Sequence, residues 1–429
     1  MEDEGRVIII GIDGVPYNLM KDLSDKGVMP NFRELRKDGM FAKVSASIPD
    51  VSSVSWSSII TGKNPGEHGV YGFTDIIEGT YTISYHSSRK LRAQPFWQIN
   101  GSDKYVIINV PSTYPASKLN GFMVTGFVSP DLERSVYPSH YISLLEKFGY
   151  KTDIDLSIAN KSKLLLFKEL YETLDARVRL YRYLWKNMDW NVFMFVITGS
   201  DRLEHFLWNA YIDEENKWHK KFLEFFKVVD FVIGEINSKM SENDSLIILS
   251  DHGMELKKFN VNLNTILEME GFLHLGDKGR NFNSIEYGTK AFALDPGRIY
   301  VNLYGRYPRG SVKNSEVDDV VTDLINLFSD LKYEDQKVIR KIYRREEIYR
   351  GPFLEKAPDL ILVPNSGFNL SARLFRERVF EKDELTGMHN LDAFLYVKGE
   401  LDKNIFSKNL SVEDILSIIN ILRGDGYGS

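Results

Sequence analysis

Three stretches of this chain are near-continuous apolar runs that end on an aspartate or just short of one. They are VIIIGID at Asp13, VFMFVIT leading into GSD at Asp201, and SLIILSD at Asp251. Runs of this length without polar alternation are strands covered on both faces, as in a parallel sheet. Helical patterns separate them, over 163–188 and 215–240, with apolar and aromatic residues recurring every three or four positions. Strands and helices that alternate in this way build an α/β layer, and the C-terminal ends of its strands open on one crevice. Three carboxylates are therefore sent to one place. Imidazoles accompany them. His205 follows Asp201 by four residues, one helical turn; His252 follows Asp251 directly; His389, in TGMHN, precedes the apolar run AFLYV. Unpaired buried carboxylates are expensive, so such a crevice calls for cations.

Residues 49–73, PDVSSVSWSSIITGKNPGEHGVYGF, begin as a hydroxyl-rich loop with Ser52, Ser53, Ser55, Ser57 and Ser58. They pass into a short apolar helix that stops at Thr61-Gly62-Lys63-Asn64-Pro65, because proline cannot continue it and glycine suits its end. A serine at a helix start commonly caps it. It also sits among unpaired backbone N–H groups at the positive end of the helix dipole, which favours an anion and a nucleophile that attacks one.

In chain order, Asp13-Gly14, Ser52 with Trp56 and Ser58, Thr61-Gly62 with His68-Gly69, Asp201 with His205, Asp251-His252-Gly253, and Gly387 with His389 resemble the motifs of one family. It is the alkaline phosphatase superfamily, in its type I phosphodiesterase/nucleotide pyrophosphatase branch. The resemblance implies an α/β, alkaline phosphatase-like fold, with a mostly parallel central sheet, helices on both faces and a smaller α+β subdomain. Residues 1–429 would form one catalytic domain, with 254–388 as the subdomain inserted between ligand motifs. Two divalent metal ions are implied. One would be held by Asp13, Asp251 and His252 beside the nucleophile Ser52, the other by Asp201, His205 and His389. Carboxylate and imidazole ligands suit Zn²⁺, with Mn²⁺ as the alternative. His68 also has a family counterpart and is read as structural, holding the loop after the serine helix.

The implied activity is hydrolysis of a small-molecule phosphate ester, with nucleotides among the candidates, as a phosphodiesterase or nucleotide pyrophosphatase forming a phosphoseryl intermediate on Ser52. A phosphomonoesterase, a phosphomutase or a catalytically inactive metal-binding scaffold are the alternatives. The interval from Ser52 to Asp201 is short for the inserted domain of a mutase. The chain departs from the family pattern at the nucleophile, usually threonine with proline two residues on and asparagine or alanine three on. Here those positions are Ser52, Val54 and Ser55. Ser53 is the alternative nucleophile if the register slips by one. Ser55, Arg202 and Lys290 are the candidate contacts to a substrate phosphate. Trp56, Tyr71, Phe73, Phe206 and Trp208 are expected to offer apolar surface beside the phosphorus, which favours a diester with a planar group over a monoester.

Composition narrows the reading. The chain has no cysteine, which excludes disulfides, thiolate metal sites and the cysteine-derived formylglycine of many sulfatases. A net charge of −6 argues against a general nucleic-acid polymer as partner. No apolar run reaches the ~18 residues of a membrane span, and the opening MEDEGRVIII does not read as a leader, so the expectation is a cytoplasmic protein without a membrane partner. Strands are further expected at 105–110, 122–127, 299–303, 360–363 and 393–397, and helices at 29–37, 316–331 and 411–422, the last capped by Ser411. Loop is expected over 71–92, a charged connection over 340–353, and a frayed tail in RGDGYGS.

Overall fold

The computed structural model describes residues 5–99, 101–276, 281–407 and 409–424. The chain divides into two compact units. The first takes the residues up to 63, 87–254 and those from 389 on; the second takes 64–86 and 255–388.

The first unit is built on an eight-stranded sheet. Its strands are β1 (Val7–Ile12), β2 (Met40–Ser45), β3 (Tyr105–Val110), β4 (Gly121–Thr125), β5 (Val136–Tyr137), β6 (Val192–Ile197), β7 (Ser245–Leu249) and β8 (Asp392–Lys398). They lie in the order β2-β8-β7-β1-β6-β3-β4-β5. The five from β7 to β4 are parallel, and β8, β2 and β5 run antiparallel to their neighbours. Every residue of β1, β3, β6 and β7 is buried, which is why these runs carry no alternation. Each such Val, Ile or Phe contributes about 1.5–3 kcal/mol relative to exposure.

Helices cover the sheet. Val7 and Ile9 of β1 join one core with Trp56, Ile59 and Ile60 of α1 (Ser52–Thr61). α2 (Lys163–Asn187) sends Tyr181 against Phe195 of β6, with ring centres 5.5 Å apart. α3 (Gly199–Ile212) and α4 (His219–Ser238) follow β6, and α5 (Ile415–Leu422) closes the unit by adding Ile415, Ile418 and Ile419 to the α1 core. Ser411 and Asp414 form a capping box, but a 3₁₀ turn, Val412–Asp414, intervenes before α5. Of the tail, residues 425–429 lie outside the described residues.

The second unit holds a four-stranded antiparallel sheet in the order Ala291–Leu294, Arg298–Val301, Leu360–Pro364, Ile339–Arg344, with the helix Val317–Ser329 in the same core. Two expectations are corrected here. The charged connection over 340–353 is an edge strand followed by the short helix Arg345–Ile348, and its charges suit an edge because they discourage pairing with another chain. The 71–92 loop contains a hairpin, Thr74–Ile76 paired with Ile83–Tyr85. Among the described residues no helix is long and apolar enough to cross a membrane.

Candidate metal centre

Three adjacent parallel strands deliver the carboxylates. Asp13 follows β1, Asp201 lies in the first turn of α3 after β6, and Asp251 stands two residues past β7. Strand register keeps these exits level, since Gly11 pairs with both Val196 and Leu249. Ser52 opens α1, and His389 comes just before β8, whose antiparallel course starts at the same edge. The loop geometry is enforced by glycine. Gly14 has φ +79° with Asp201 against its Cα, so a side chain there would be both strained and crowded. Gly11 admits the indole of Trp56, which a Cβ would meet at 2.5 Å.

The polar atoms converge as two groups that share His252. Ligating atoms of Asp13, Asp251 and His252 lie within 4.8 Å of one another, and so do those of Asp201, His252 and His389. His205 extends the second group. Its Nε2 is 3.3 Å from Asp201 Oδ1 and 2.9 Å from His389 Nε2, while His389 Nε2 is 3.2 Å from the same Asp201 oxygen. Donor atoms about 2.0–2.1 Å from one tetrahedral ion stand roughly 3.3 Å apart, so these spacings are those of a coordination shell. Ser52 Oγ is 3.0 Å from His252 Nε2 and 3.5 Å from Asp13 Oδ1.

Backbone contacts orient the imidazoles. Nδ1 of His389 lies 2.8 Å from the Asp50 carbonyl and Nδ1 of His252 lies 3.1 Å from the Gly253 carbonyl. A carbonyl only accepts, so each Nδ1 donates and each Nε2 turns a lone pair inward. Asp13 Oδ2 accepts the Trp56 indole N–H at 2.9 Å, and Asp251 Oδ1 accepts the Gly14 N–H at 3.2 Å. Among the described residues, buried Asp201 Oδ1 and Asp251 Oδ2 have no hydrogen-bond partner. Those two orphaned oxygens face bare imidazole nitrogens, an all-acceptor set that a divalent cation satisfies.

The electrostatics show the same need. Burial, then Asp251 and Asp201, push the Asp13 carboxyl well above the ordinary range, against the Trp56 hydrogen bond. Burial raises Asp251 to about 7. Burial drives His252 well down, with His389 adding to it. Asp201 goes the other way, because His205 and His389 outweigh its burial. His389 is raised, its burial overcome by Asp201. One side is sealed, with Asp13, Asp251 and His252 at zero exposure, whereas the His205 and His389 side chains keep 23% and 19% of theirs. The centre opens to solvent at the second group.

The remaining sequence candidates fare differently. Ser53 Oγ is buried without a partner, and no contact ties it to these groups. Ser55 accepts the Ser47 N–H and packs the loop ahead of α1. Arg202 is bound by Asp153 at 2.6 Å and lies 4.6 Å from the centre of the Phe127 ring. Burial opposes its charge, but Asp153 and Asp201 raise its pKa overall. Lys290 belongs to the second unit, where its ammonium is 5.9 Å from the Phe272 ring centre. His68, also in that unit, accepts the Val70 N–H and is held neutral by burial at about 3. The expectation of open aromatic surface is corrected. Trp56, Phe206, Trp208 and Tyr71 are all buried, because α1, α3 and the second unit's core absorb them; Phe73, in the second unit, keeps partial exposure.

Sequence reasoning missed Asp153, which lies in irregular structure and carries no local signal. It also missed Glu204, whose two carboxylate oxygens are buried without partners and whose pKa is raised by burial and by Asp201, Asp13 and Asp251. Its spacing of three from Asp201 on a helix could have flagged it.

The family model described as type I phosphodiesterase/nucleotide pyrophosphatase matches residues 7–392. Among solved structures, phosphonoacetate hydrolase from Sinorhizobium meliloti 1021 in complex with phosphonoformate is similar at 15% identity and TM-score 0.66, covering 98% of this chain and 96% of that one. Murine ectonucleotide pyrophosphatase/phosphodiesterase 5 is similar at 14% identity and TM-score 0.57, covering 98% and 95%. Its inactive form in complex with AMP gives 14%, TM-score 0.56 and the same coverage. These structural likenesses show the fold. No curated protein matches by sequence. With the family's motifs met over nearly its whole length, this chain belongs to the type I phosphodiesterase/nucleotide pyrophosphatase family of metal-dependent hydrolases in the alkaline phosphatase superfamily.

Proposed function

We propose that this protein hydrolyses phosphate diesters at a binuclear centre, with Ser52 as the nucleophile. The observation that carries this reading is the position of Ser52 Oγ, 3.0 Å from His252, the residue common to both ligand groups. Asp13, Asp251 and His252 would hold one divalent cation, and Asp201, His205 and His389 the other. When bound, such cations lower the pKa of a coordinated hydroxyl and neutralise charge on the phosphoryl oxygens. Their donor set suits Zn²⁺, with Mn²⁺ second.

The chain's own groups divide the remaining work. Ser52, at the first residue of α1, presents its oxygen where the helix dipole favours an anion. Attack on phosphorus expels the alcohol of one ester bond and leaves on Ser52 a phosphoryl group that still carries the other ester, which water then releases as the monoester, regenerating the serine. Asp50, through its carbonyl, and Trp56, through its indole, fix the His389 ring and the Asp13 carboxylate, so neither reorients during the cycle.

Charge supports a diester. Two divalent cations against Asp13, Asp201 and Asp251 leave about one positive charge, which the Ser52 alkoxide cancels. Two guanidinium groups are coupled to Asp13: Arg202, already bound by Asp153, and buried Arg177, which donates to the Thr198 hydroxyl and the Thr152 carbonyl. A dianionic monoester would find both guanidinium groups already engaged, whereas a monoanionic diester needs neither. The test is kcat/KM for bis(nitrophenyl) phosphate against nitrophenyl phosphate with the metal-loaded protein. The diester is expected to be preferred; a monoester preferred about tenfold, ~1.4 kcal/mol at the transition state, would point to a phosphatase or mutase.

A further inference from the structure

The first unit contains a cavity of about 550 Å³ that includes none of the seven residues of the metal centre. That size falls in the range of small-molecule sites, roughly 300–1,000 Å³. Its lining includes Ile60, eight residues along α1 from Ser52, which at ~1.5 Å per residue places it about 12 Å from the nucleophile. Trp97, Met123 and Val136 give it an apolar floor.

Two observations make this more than a gap in packing. Trp97 lines the cavity, is 2% exposed, and its indole N–H has no hydrogen-bond partner among the described residues. A buried indole N–H ordinarily finds an acceptor, so this one is left for a ligand to satisfy. Arg89 and Arg92 also line the cavity, both are exposed, and neither has an ion pair or hydrogen bond among the described residues. The third arginine there, Arg134, is by contrast held by Asp131 and lies 5.3 Å from the Tyr114 ring centre. Two free guanidinium groups beside one apolar cavity are conspicuous in a chain with a net charge of −6.

We propose that this cavity is a second binding site, for an amphipathic anion: an aromatic or aliphatic body seated on the Ile60–Trp97–Met123 floor, with its acidic group held by Arg89 and Arg92. The acid supplies charge-assisted acceptors for the two guanidinium groups, and an oxygen of the ligand takes the Trp97 N–H.

The probe is 8-anilinonaphthalene-1-sulfonate, titrated by fluorescence into the metal-loaded protein. Saturable binding at one site per chain is expected, displaced by decanesulfonate but not by decanol. Low-millimolar inorganic phosphate, which competes at the metal centre, is expected to leave it unchanged. The double variant Arg89→Gln/Arg92→Gln, which alters only exposed side chains, should weaken binding about tenfold. Trp97→Phe, which keeps a ring and deletes the N–H, should weaken it about threefold or more. Wild-type affinity in the double arginine variant, or displacement by decanol as effective as by decanesulfonate, would overturn the proposal. So would displacement by phosphate, which would assign the probe to the metal centre.

Discussion

Two clusters of buried charge, one in each unit, are treated in opposite ways. In the second unit Arg298 is fully buried and donates to the carbonyls of Asp295 and Thr74, with the Tyr300 hydroxyl 3.3 Å away. Nearby, Asp359 accepts the Val301 N–H and pairs with Arg345. The chain completes these groups by itself. In the first unit, Asp13, Asp251 and His252 are buried just as deeply, yet oxygens remain without donors and like charges crowd together. Buried polarity that its own fold satisfies is structural; buried polarity that its fold leaves unsatisfied is reserved for something that binds.

The comparison can be broken in four places. The largest effect is expected at the nucleophile. Ser52→Ala should lower kcat by about three orders of magnitude or more with metal content and Tm kept, while Ser53→Ala keeps most activity. Steady-state kinetics on a nitrophenyl diester reads this, and the reverse ranking would move the nucleophile by one residue.

Next comes metal stoichiometry. Asp201→Asn and His389→Ala should each reduce bound metal from two equivalents to about one, since a three-residue site loses much of its affinity with one ligand gone. Elemental analysis that finds two equivalents in both variants would contradict the second ligand set.

Arg298→Met is the matching change in the other unit. It removes a fully buried guanidinium and takes its donors from the partly buried Asp295 and Thr74 carbonyls, and a loss of about 2–5 kcal/mol in denaturant unfolding is expected, with metal content unchanged in the folded fraction.

The smallest and most discriminating effect concerns pH. Asp251 sits at about 7 in the metal-free protein, above its unfolded value. A raised carboxyl contributes stability that is complete in acid and is lost as pH rises from about 4 through 7. Asp251→Asn removes that loss. The metal-free variant should match the metal-free wild type near pH 4 and exceed it in Tm by a few degrees above pH 7, although it binds metal poorly. Equal Tm values at all pH would mean that the Asp251 carboxylate is satisfied without a cation.

Much of this was legible before any coordinates. The runs ending at Asp13, Asp201 and Asp251 read as buried parallel strands because a two-sided cover leaves no room for polar alternation, and the structure places them side by side. Strand ends and a family's motif order both point to the seven candidate residues, whose side chains the structure brings together. What stayed hidden was set by tertiary contact. Nothing near Asp153 announces that it binds Arg202, and nothing in the serine loop tells that Ser55 faces Ser47. The aromatics misled for the same reason: a tryptophan beside a site and a tryptophan beneath it look alike in sequence. The edge strand Ile339–Arg344 reads as a connection in sequence because edges tolerate the charges that interior strands cannot.

The strand order has a consequence in time. β8 lies between β2 and β7, and its register sets Val397 opposite Met40, a separation of 397 − 40 = 357 residues. At a synthesis rate of roughly 5–20 residues per second, β2 waits on the order of twenty seconds to a minute after leaving the ribosome before its partner exists. Throughout that interval β2 lacks its partner, and from its own synthesis onward one side of β7 is a bare edge too, each open to a neighbouring nascent chain. His389 emerges only three residues before β8, so the cluster and the sheet are completed together. A chain cut before His389 would thus lack both, and metal uptake would report that synthesis and folding have passed β8.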